Sequence, residues 1–367
     1  IRNCVINSNS NTGISLYQTE SCRIIKCRIK DNQGESAGGI FLYSDSGTEI
    51  KNTLISNNTA TGGQWYNGAG GILYRYSSNA IIDNCIIHDN IGTRGGGIYL
   101  QCEQSGTISN SVISNNYADV GGGLYSQYCS TTSIEYSTII NNVSNSTGGA
   151  FNIVEQSNIS ISNSTIIDNI ANTDNTGIYI SDYSNSSNPT ITSNNIIGHG
   201  YGLYNNDASQ VTTATNNYWG DLSGPYHPSQ NSSGQGDSVN IFVNVDPWLT
   251  TPDTDAPPIP AQNVQITSSG YNYVNLSWDA SDIGDLSGYK VYYDTDASGY
   301  PYTNSVDVSN VTTYNLTGLN TGSPYYIAVT TYDTDGNESW YSTEAQATPV
   351  PDTLNVPVSY TTIQSAL

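Results

Sequence analysis

Glycine followed by an aliphatic residue, and then mostly by an aromatic one, recurs through the first 205 residues. Six copies are clear: Gly39-Ile40-Phe41, Gly97-Ile98-Tyr99, Gly123-Leu124-Tyr125, Gly149-Ala150-Phe151, Gly177-Ile178-Tyr179 and Gly202-Leu203-Tyr204. Gly13-Ile14-Ser15 and Gly71-Ile72-Leu73 are weaker copies. Successive glycines are 26, 32, 26, 26, 26, 28 and 25 residues apart. A repeat of this length signals stacked coils, each unable to bury its apolar face alone.

Within one coil the apolar positions alternate with polar ones, which is strand periodicity. Residues 97–122 predict three short strands: Gly97-Ile98-Tyr99-Leu100, Gly106-Thr107-Ile108-Ser109 and Ser111-Val112-Ile113-Ser114. Asn110 and the pair Asn115-Asn116 make the corners. Three inward columns follow. One holds Ile14, Ile40, Ile72, Ile98, Leu124, Ala150, Ile178 and Leu203; a second holds Ile24, Ile50, Ile82, Ile108, Ile134 and Ile161; a third holds Ile6, Ile29, Ile55, Ile87, Ile113, Ile139 and Ile166. Asn52, Asn84, Asn110 and Asn163 stack at one corner, and Asn32, Asn58, Asn90, Asn116, Asn142 and Asn169 at another. Stacked amides donate to one neighbour and accept from the next, and Asn tolerates left-handed corners. At the usual strand spacing, eight coils make a rod of roughly 40 Å.

Residues 216–249 break the repeat with Asn216-Asn217-Tyr218-Trp219-Gly220, Ser223-Gly224-Pro225-Tyr226-His227-Pro228 and Asp246-Pro247-Trp248-Leu249. This segment resembles the closing motif of secreted bacterial right-handed parallel β-helix proteins, the pectate-lyase-like superfamily. The resemblance covers residues 1–250 and implies a cap over the last unpaired strand edges. Residues 251–260 form a Pro-rich linker. Residues 261–349 resemble a fibronectin type III sandwich, on Val274-Asn275-Leu276-Ser277-Trp278, Tyr289-Lys290-Val291-Tyr292-Tyr293, and Leu319 six residues before Tyr325, which would be the tyrosine corner. Residues 350–367 resemble a linker and the start of a further β-helix. The expected fold class is therefore all-β: a right-handed single-stranded parallel β-helix of about eight to nine coils plus a fibronectin type III β-sandwich.

Composition narrows function. Nine Lys+Arg against 31 Asp+Glu give a net charge of −22. Residues 1–250 carry 8 basic and 18 acidic residues, and 251–367 carry 1 and 13. Nucleic acid and anionic membrane surfaces need basic patches that neither part offers. No run of 18 apolar residues predicts a membrane span. The chain has no methionine and opens inside a repeat, as expected of a piece of a larger extracellular or cell-surface protein, bacterial by the resemblance.

Relatives of this fold that cleave polysaccharides do so, as the resemblance implies, on the outer face of the first strand. Its outward positions are expected to be Ser15, Phe41, Leu73, Tyr99, Tyr125, Phe151, Tyr179 and Tyr204, then Tyr17, Tyr43, Arg75, Gln101, Gln127, Ile153, Ser181 and Asn206. None is a carboxylate, whereas glycoside hydrolysis needs two. Gly198-His199-Gly200 and Arg28-Ile29-Lys30 are similar to polygalacturonase motifs but stand in reverse order, and are read as coincidence; His199 and His88 are expected in solvent. No catalytic residue is assigned, and the chain is read as more a non-enzyme than an enzyme. Phe41, Tyr99, Tyr125, Phe151, Tyr179 and Tyr204, with Trp65 and Tyr66 from the long 59–70 loop, are the candidate ligand contacts; a stabilising aromatic ladder is the alternative. Asp333, Asp335 and Asn337 are candidates for calcium, with turn formation as the alternative; no other cofactor is expected. Six cysteines stand at 4, 22, 27, 85, 102 and 129, and Cys4 and Cys27 sit at disulfide reach or act as small core residues.

The expected function is a non-catalytic module acting in adhesion, glycan binding or extracellular assembly. Its partner would be a polysaccharide, another surface protein, or a second copy end to end. The alternatives are a fragment of a polysaccharide lyase or glycoside hydrolase lacking its catalytic coils, and a structural subunit of an extracellular filament.

Overall fold

A computed structural model describes residues 1–62, 68–101, 105–129, 131–181, 187–296 and 300–350. Two compact units divide the chain at Pro257/Pro258. The first is a parallel β-solenoid of three long sheets. The first sheet contains Ile14–Tyr17, Ile40–Tyr43, Ile72–Arg75, Ile98–Gln101, Leu124–Gln127, Phe151–Val154, Thr176–Ser181, Tyr201–Asn205 and Ser238–Val239. The second runs from Arg23–Ile25 to Val243–Asn244, and the third from Val5–Asn7 to Asn195–Ile197. Each strand pairs in parallel with the equivalent strand of the next coil, as in Ile98↔Leu124, Ile108↔Ile134 and Ile113↔Ile139.

The expected second and third inward columns are continuous in the core. The first needs a correction at Ala150. Leu124 pairs with Phe151, and Phe151 with Ile178. Phe151 and Ile153 therefore point into the rod, both fully buried, while Asn152 and Val154 take the outward places. Ladder contacts from Ser137 to Ser164 and from Asn142 to Asn169 span 27 residues, where those from Ser111 to Ser137 and Asn116 to Asn142 span 26. That extra residue slips the phase of the following strand by one, which reverses every side chain on it. Gly121 and Gly148, at φ +65° and +66°, are the equivalent left-handed points in the two coils, so Ala150 stands where Gly123 does.

Each corner is built the same way: a residue at positive φ, then a small polar residue turned inward. At the third corner Asp31-Asn32, Asn57-Asn58, Asp89-Asn90, Asn115-Asn116, Asn141-Asn142 and Asp168-Asn169 obey this pattern. Asn116 shows the ladder. Its backbone N–H and its Nδ2 both donate to Asn142 Oδ1 (3.0 and 2.9 Å), and Nδ2 also donates to Ile87 O (2.9 Å). At the second corner Asn52, Asn84, Asn110 and Asn163 are the positive-φ residues rather than the inward ones. The inward ladder there runs through Cys27, Thr53, Cys85, Ser111, Ser137 and Ser164. Cys4, Cys22, Cys27 and Cys85 are free thiols; Cys27 is a small residue of the core, whereas Cys4 is exposed and stands outside it.

Residues 216–249, expected as a cap over the last strand edges, add strands to two sheets: Ser238–Val239 pairs with Tyr201–Asn205, and Val243–Asn244 with Thr212–Thr213. Trp219, Val239, Val243 and Val245 join the rod core, and His227 is fully buried with Nε2 on Val243 O (3.0 Å). Part of the expected linker is docked on the rod: Asp253 N–H donates to Asn195 Oδ1 (2.8 Å), and Thr165 Oγ1 donates to Pro257 O.

The second unit is an antiparallel sandwich. One sheet holds Gln265–Gly270, Tyr273–Ser277 and Thr313–Thr317; the other holds Asn304–Ser309, Leu286–Asp294, Tyr325–Asp333 and Ala345–Ala347. Val274, Leu276, Trp278, Tyr289, Val291, Leu319 and Tyr325 fill its core. The Asn320 N–H donates to Tyr325 Oη (2.9 Å), closing the corner anticipated for Tyr325. The segment 350–367, read as a further β-helix start, lies outside the described residues apart from Val350.

Candidate functional site

The outward column of the first sheet runs Ser15, Phe41, Leu73, Tyr99, Tyr125, Asn152, Tyr179 and Tyr204 in register. Its first half is not an open platform. Phe41, Leu73, Tyr99 and Tyr125 are buried in a small satellite cluster with Ala37, Ala69 and Val154, against Tyr43 and Val120. Tyr99 has no exposed surface, and its ring meets that of Tyr125 edge-on at 5.0 Å. The chain leading into each coil supplies Ala37, Ala69 and Val120, which cover the aromatics and give them packing energy instead of solvent contact. Ring contacts at the near end, Tyr17 on Phe41 (5.4 Å) and Tyr43 on Tyr76 (5.8 Å), belong to the same belt, with the Arg75 guanidinium over Tyr43 and Tyr76. Trp65 and Tyr66 lie outside the described residues.

The second half differs. Asn152 interrupts the tyrosines, and beyond it Tyr179 and Tyr204 are half-buried and stacked at 5.9 Å with their planes 6° apart. A cleft of about 520 Å³ opens at the interruption. Tyr125, Tyr128 and Tyr179 supply its aromatic walls; Gln127, Asn152, Thr147 and Ser181 line it with amides and hydroxyls; Arg94 and Glu155 supply one charge of each sign. Its polar groups are cross-braced. Tyr99 Oη donates to Gln127 Oε1 (2.8 Å), Gln127 Nε2 donates to Glu155, and Asn152 Nδ2 donates to Thr147 Oγ1 (2.5 Å). Asn152 Oδ1 is buried and accepts no hydrogen bond. Sequence reasoning missed Asn152, Glu155 and Arg94. The spacing between Leu124 and Phe151 would have exposed Asn152, because the third-corner asparagines repeat at the same longer interval.

The histidines are structural in their contacts and buried, contrary to the expectation of solvation. His199 takes the place after Asn169 in the third-corner ladder: its Nε2 accepts the Asn169 N–H (3.3 Å) and Nδ1 meets Asp237 Oδ2 at 2.7 Å. His88 is 7% exposed and contacts Asp89 through Nδ1. Arg28 and Lys30 sit at the opposite end of the third sheet from His199. In the sandwich, the Asp333 carboxylate accepts both the backbone N–H and the Nδ2 of Asn337 (2.8 Å each), which is turn geometry. Among the described residues no group of three or more His, Cys, Asp or Glu side chains is arranged to hold a metal.

A family model for the right handed beta helix region matches residues 1–166 and, in a second overlapping register, 39–218. A fibronectin type III domain model matches residues 257–348. Among solved structures, a β-1,2-glucanase from Parabacteroides distasonis is 23% identical over 27% of this chain and 14% of that one, with a TM-score of 0.23. The fibronectin type III domain of human fibronectin type III domain containing protein 3 is 22% identical over 29% and 95%, at 0.23. The spore cortex lytic enzyme SleM of Clostridium perfringens is 22% identical over 27% and 31%, at 0.22. Likenesses at these scores carry no argument about arrangement or activity.

Proposed function

We propose, for a chain that belongs to the right handed beta helix family and carries a fibronectin type III domain, a role as a glycan-binding module of a larger extracellular protein. The pairing of the two domains is consistent with such a module. What carries the proposal is the break at Asn152. It sets a cleft of about 520 Å³ between Tyr125 and Tyr179, a size within the usual range for ligand sites, roughly 300–1,000 Å³. Tyrosine faces suit the apolar faces of pyranose rings, and braced amides and hydroxyls suit sugar hydroxyls. The acidic surface, −22 in all, disfavours polyuronates and favours a neutral polysaccharide. Binding without cleavage fits the lining, in which Glu155 is the one carboxylate among the described residues; hydrolysis needs two, spaced about 5–9.5 Å apart.

The test is affinity electrophoresis of the chain through gels containing xylan, mixed-linkage β-glucan, galactomannan or polygalacturonate, in parallel with an assay for released reducing ends. Retardation by a neutral polymer, reduced for Tyr179→Ala and without release of reducing ends, is the expected result. Equal mobility in all four gels would defeat the proposal, and release of reducing ends would favour the hydrolase alternative.

A further inference from the structure

The sandwich has its own cleft, of about 390 Å³, at the end of the strand Leu286–Asp294. Asp294, Asp296, Asn304 and Asn320 line it, with Tyr293 and Tyr325 beside them. Asp294 is only 4% exposed. Its Oδ2 accepts the Thr303 N–H (3.2 Å), but its Oδ1 is buried and accepts no hydrogen bond. Its neighbour is a second carboxylate.

A buried carboxylate oxygen beside another carboxylate demands a positive partner. This unit has almost none to give. Lys290 is the single Lys or Arg in residues 251–367. It is engaged elsewhere, 2.6 Å from Glu338 and over the Tyr332 ring. No His or Cys lines the cleft, so its donors are all oxygen. Oxygen-only donors with paired carboxylates select a hard divalent cation, and an open, irregular cleft suits the flexible coordination of calcium better than the strict octahedron of magnesium. We infer that Asp294 and Asp296 are the anionic ligands of a calcium site in this cleft, with neutral oxygens and water completing the shell. The site is distinct from the Asp333–Asn337 turn, whose carboxylate is already satisfied, and stands whether or not the rod binds glycans.

The experiment is calorimetric titration of the chelator-stripped chain with calcium chloride to 10 mM at neutral pH, followed by terbium luminescence excited through the tyrosines at 6.2 Å from each other, Tyr293 and Tyr325. One site with a Kd of about 10⁻⁴–10⁻³ M is expected, the range of extracellular calcium modules. Asp296→Asn, an exposed change that leaves the core intact, is expected to weaken calcium tenfold or more and to abolish tyrosine-sensitised terbium emission. Asp279→Asn, outside the cleft, is expected to leave both unchanged. Undetectable uptake at 10 mM would overturn the inference in favour of a proton shared by the two carboxyls. Equal binding by wild type and Asp296→Asn, or equal losses with Asp279→Asn, would overturn it in favour of diffuse attraction to an acidic surface.

Discussion

At the scale of the residue, polar side chains turned into the rod are held by ladders rather than by solvent. Replacing Asn116 by Ala strips hydrogen bonds from Asn90 and Ile87 on one side and from Asn142 on the other, all of them buried. Leaving such groups unpaired costs about 1–3 kcal/mol each, so Asn116→Ala is expected to destabilise the rod by several kcal/mol in denaturant unfolding. Asn110→Ala, at a left-handed corner with φ 49°, is expected to cost about 1–2 kcal/mol. Equal losses would contradict the distinction between ladder and corner. The thiols divide in the same way. Burial pushes the Cys85 pKa up to about 12, while Cys4 is exposed. Mass-mapped alkylation at pH 8 is expected to modify Cys4 quickly and Cys85 only after unfolding, because the thiolate is the reactive form. Native-state labelling of Cys85 would refute that burial. Asparagine ladders were legible in the sequence because they repeat at the coil interval. The buried state of His199 was not, since nothing in Gly198-His199-Gly200 itself shows that this histidine continues a column of asparagines six coils long.

At the scale of the element, everything turns on which side of a strand faces the core. The isoleucine columns were readable from alternation and period alone, and the pairings reproduce them from Ile6 to Ile166 and from Ile24 to Ile161. Phase failed at one coil, where Gly149-Ala150-Phe151 imitates the Gly-aliphatic-aromatic phrase while the backbone equivalence makes Ala150 the third glycine. Phe151 inside predicts that Phe151→Ala loses about 3–5 kcal/mol, the cost of emptying a core aromatic. A loss below about 1 kcal/mol would return Phe151 to the surface and remove the cleft at Asn152. Exposure of the aromatic stripe was beyond alternation as well. A period of two tells inside from outside, but the residues that cover Tyr99 and Tyr125 come from the chain before each coil and from neighbouring coils, at separations no local pattern reports.

Across the whole molecule, two cores of different construction share one acidic, charge-poor chain. Stacked coils bury one contiguous column from Ile14 to Val245, and the sandwich packs a separate cluster around Trp278 and Tyr289. The sandwich also concentrates tyrosines. Tyr292, Tyr302 and Tyr341 are each pushed above the ordinary tyrosine value of 10.0, chiefly by burial, and Tyr292 and Tyr302 further by hydrogen bonds to Glu338 and Glu344. A raised folded-state pKa means that the native form keeps protons the unfolded chain releases. The corresponding stability is whole below about pH 10 and drains away as pH rises above it. Ultraviolet titration at pH 11 is expected to show about one-tenth of each of the 29 tyrosines un-ionised in denaturant, and in the native protein these three wholly un-ionised in addition. Full ionisation at pH 11 without unfolding would contradict their burial. The two fold classes, solenoid and sandwich, were legible from repeat spacing and strand motifs; the acidic cleft at Asp294 and Asp296 was not, because the strand end, the Asn304 strand and the Gly318–Asn320 turn meet only in the folded sandwich.

The most direct test of the glycan-binding account is a calorimetric titration of the chain, and of Asn152→Trp, with soluble oligosaccharides cut from whichever neutral polysaccharide retards it. Tryptophan at 152 fills the cleft between Tyr125 and Tyr179, so the Kd is expected to rise tenfold or more with the fold preserved by circular dichroism. An unchanged Kd for Asn152→Trp would place the binding site elsewhere and contradict the account.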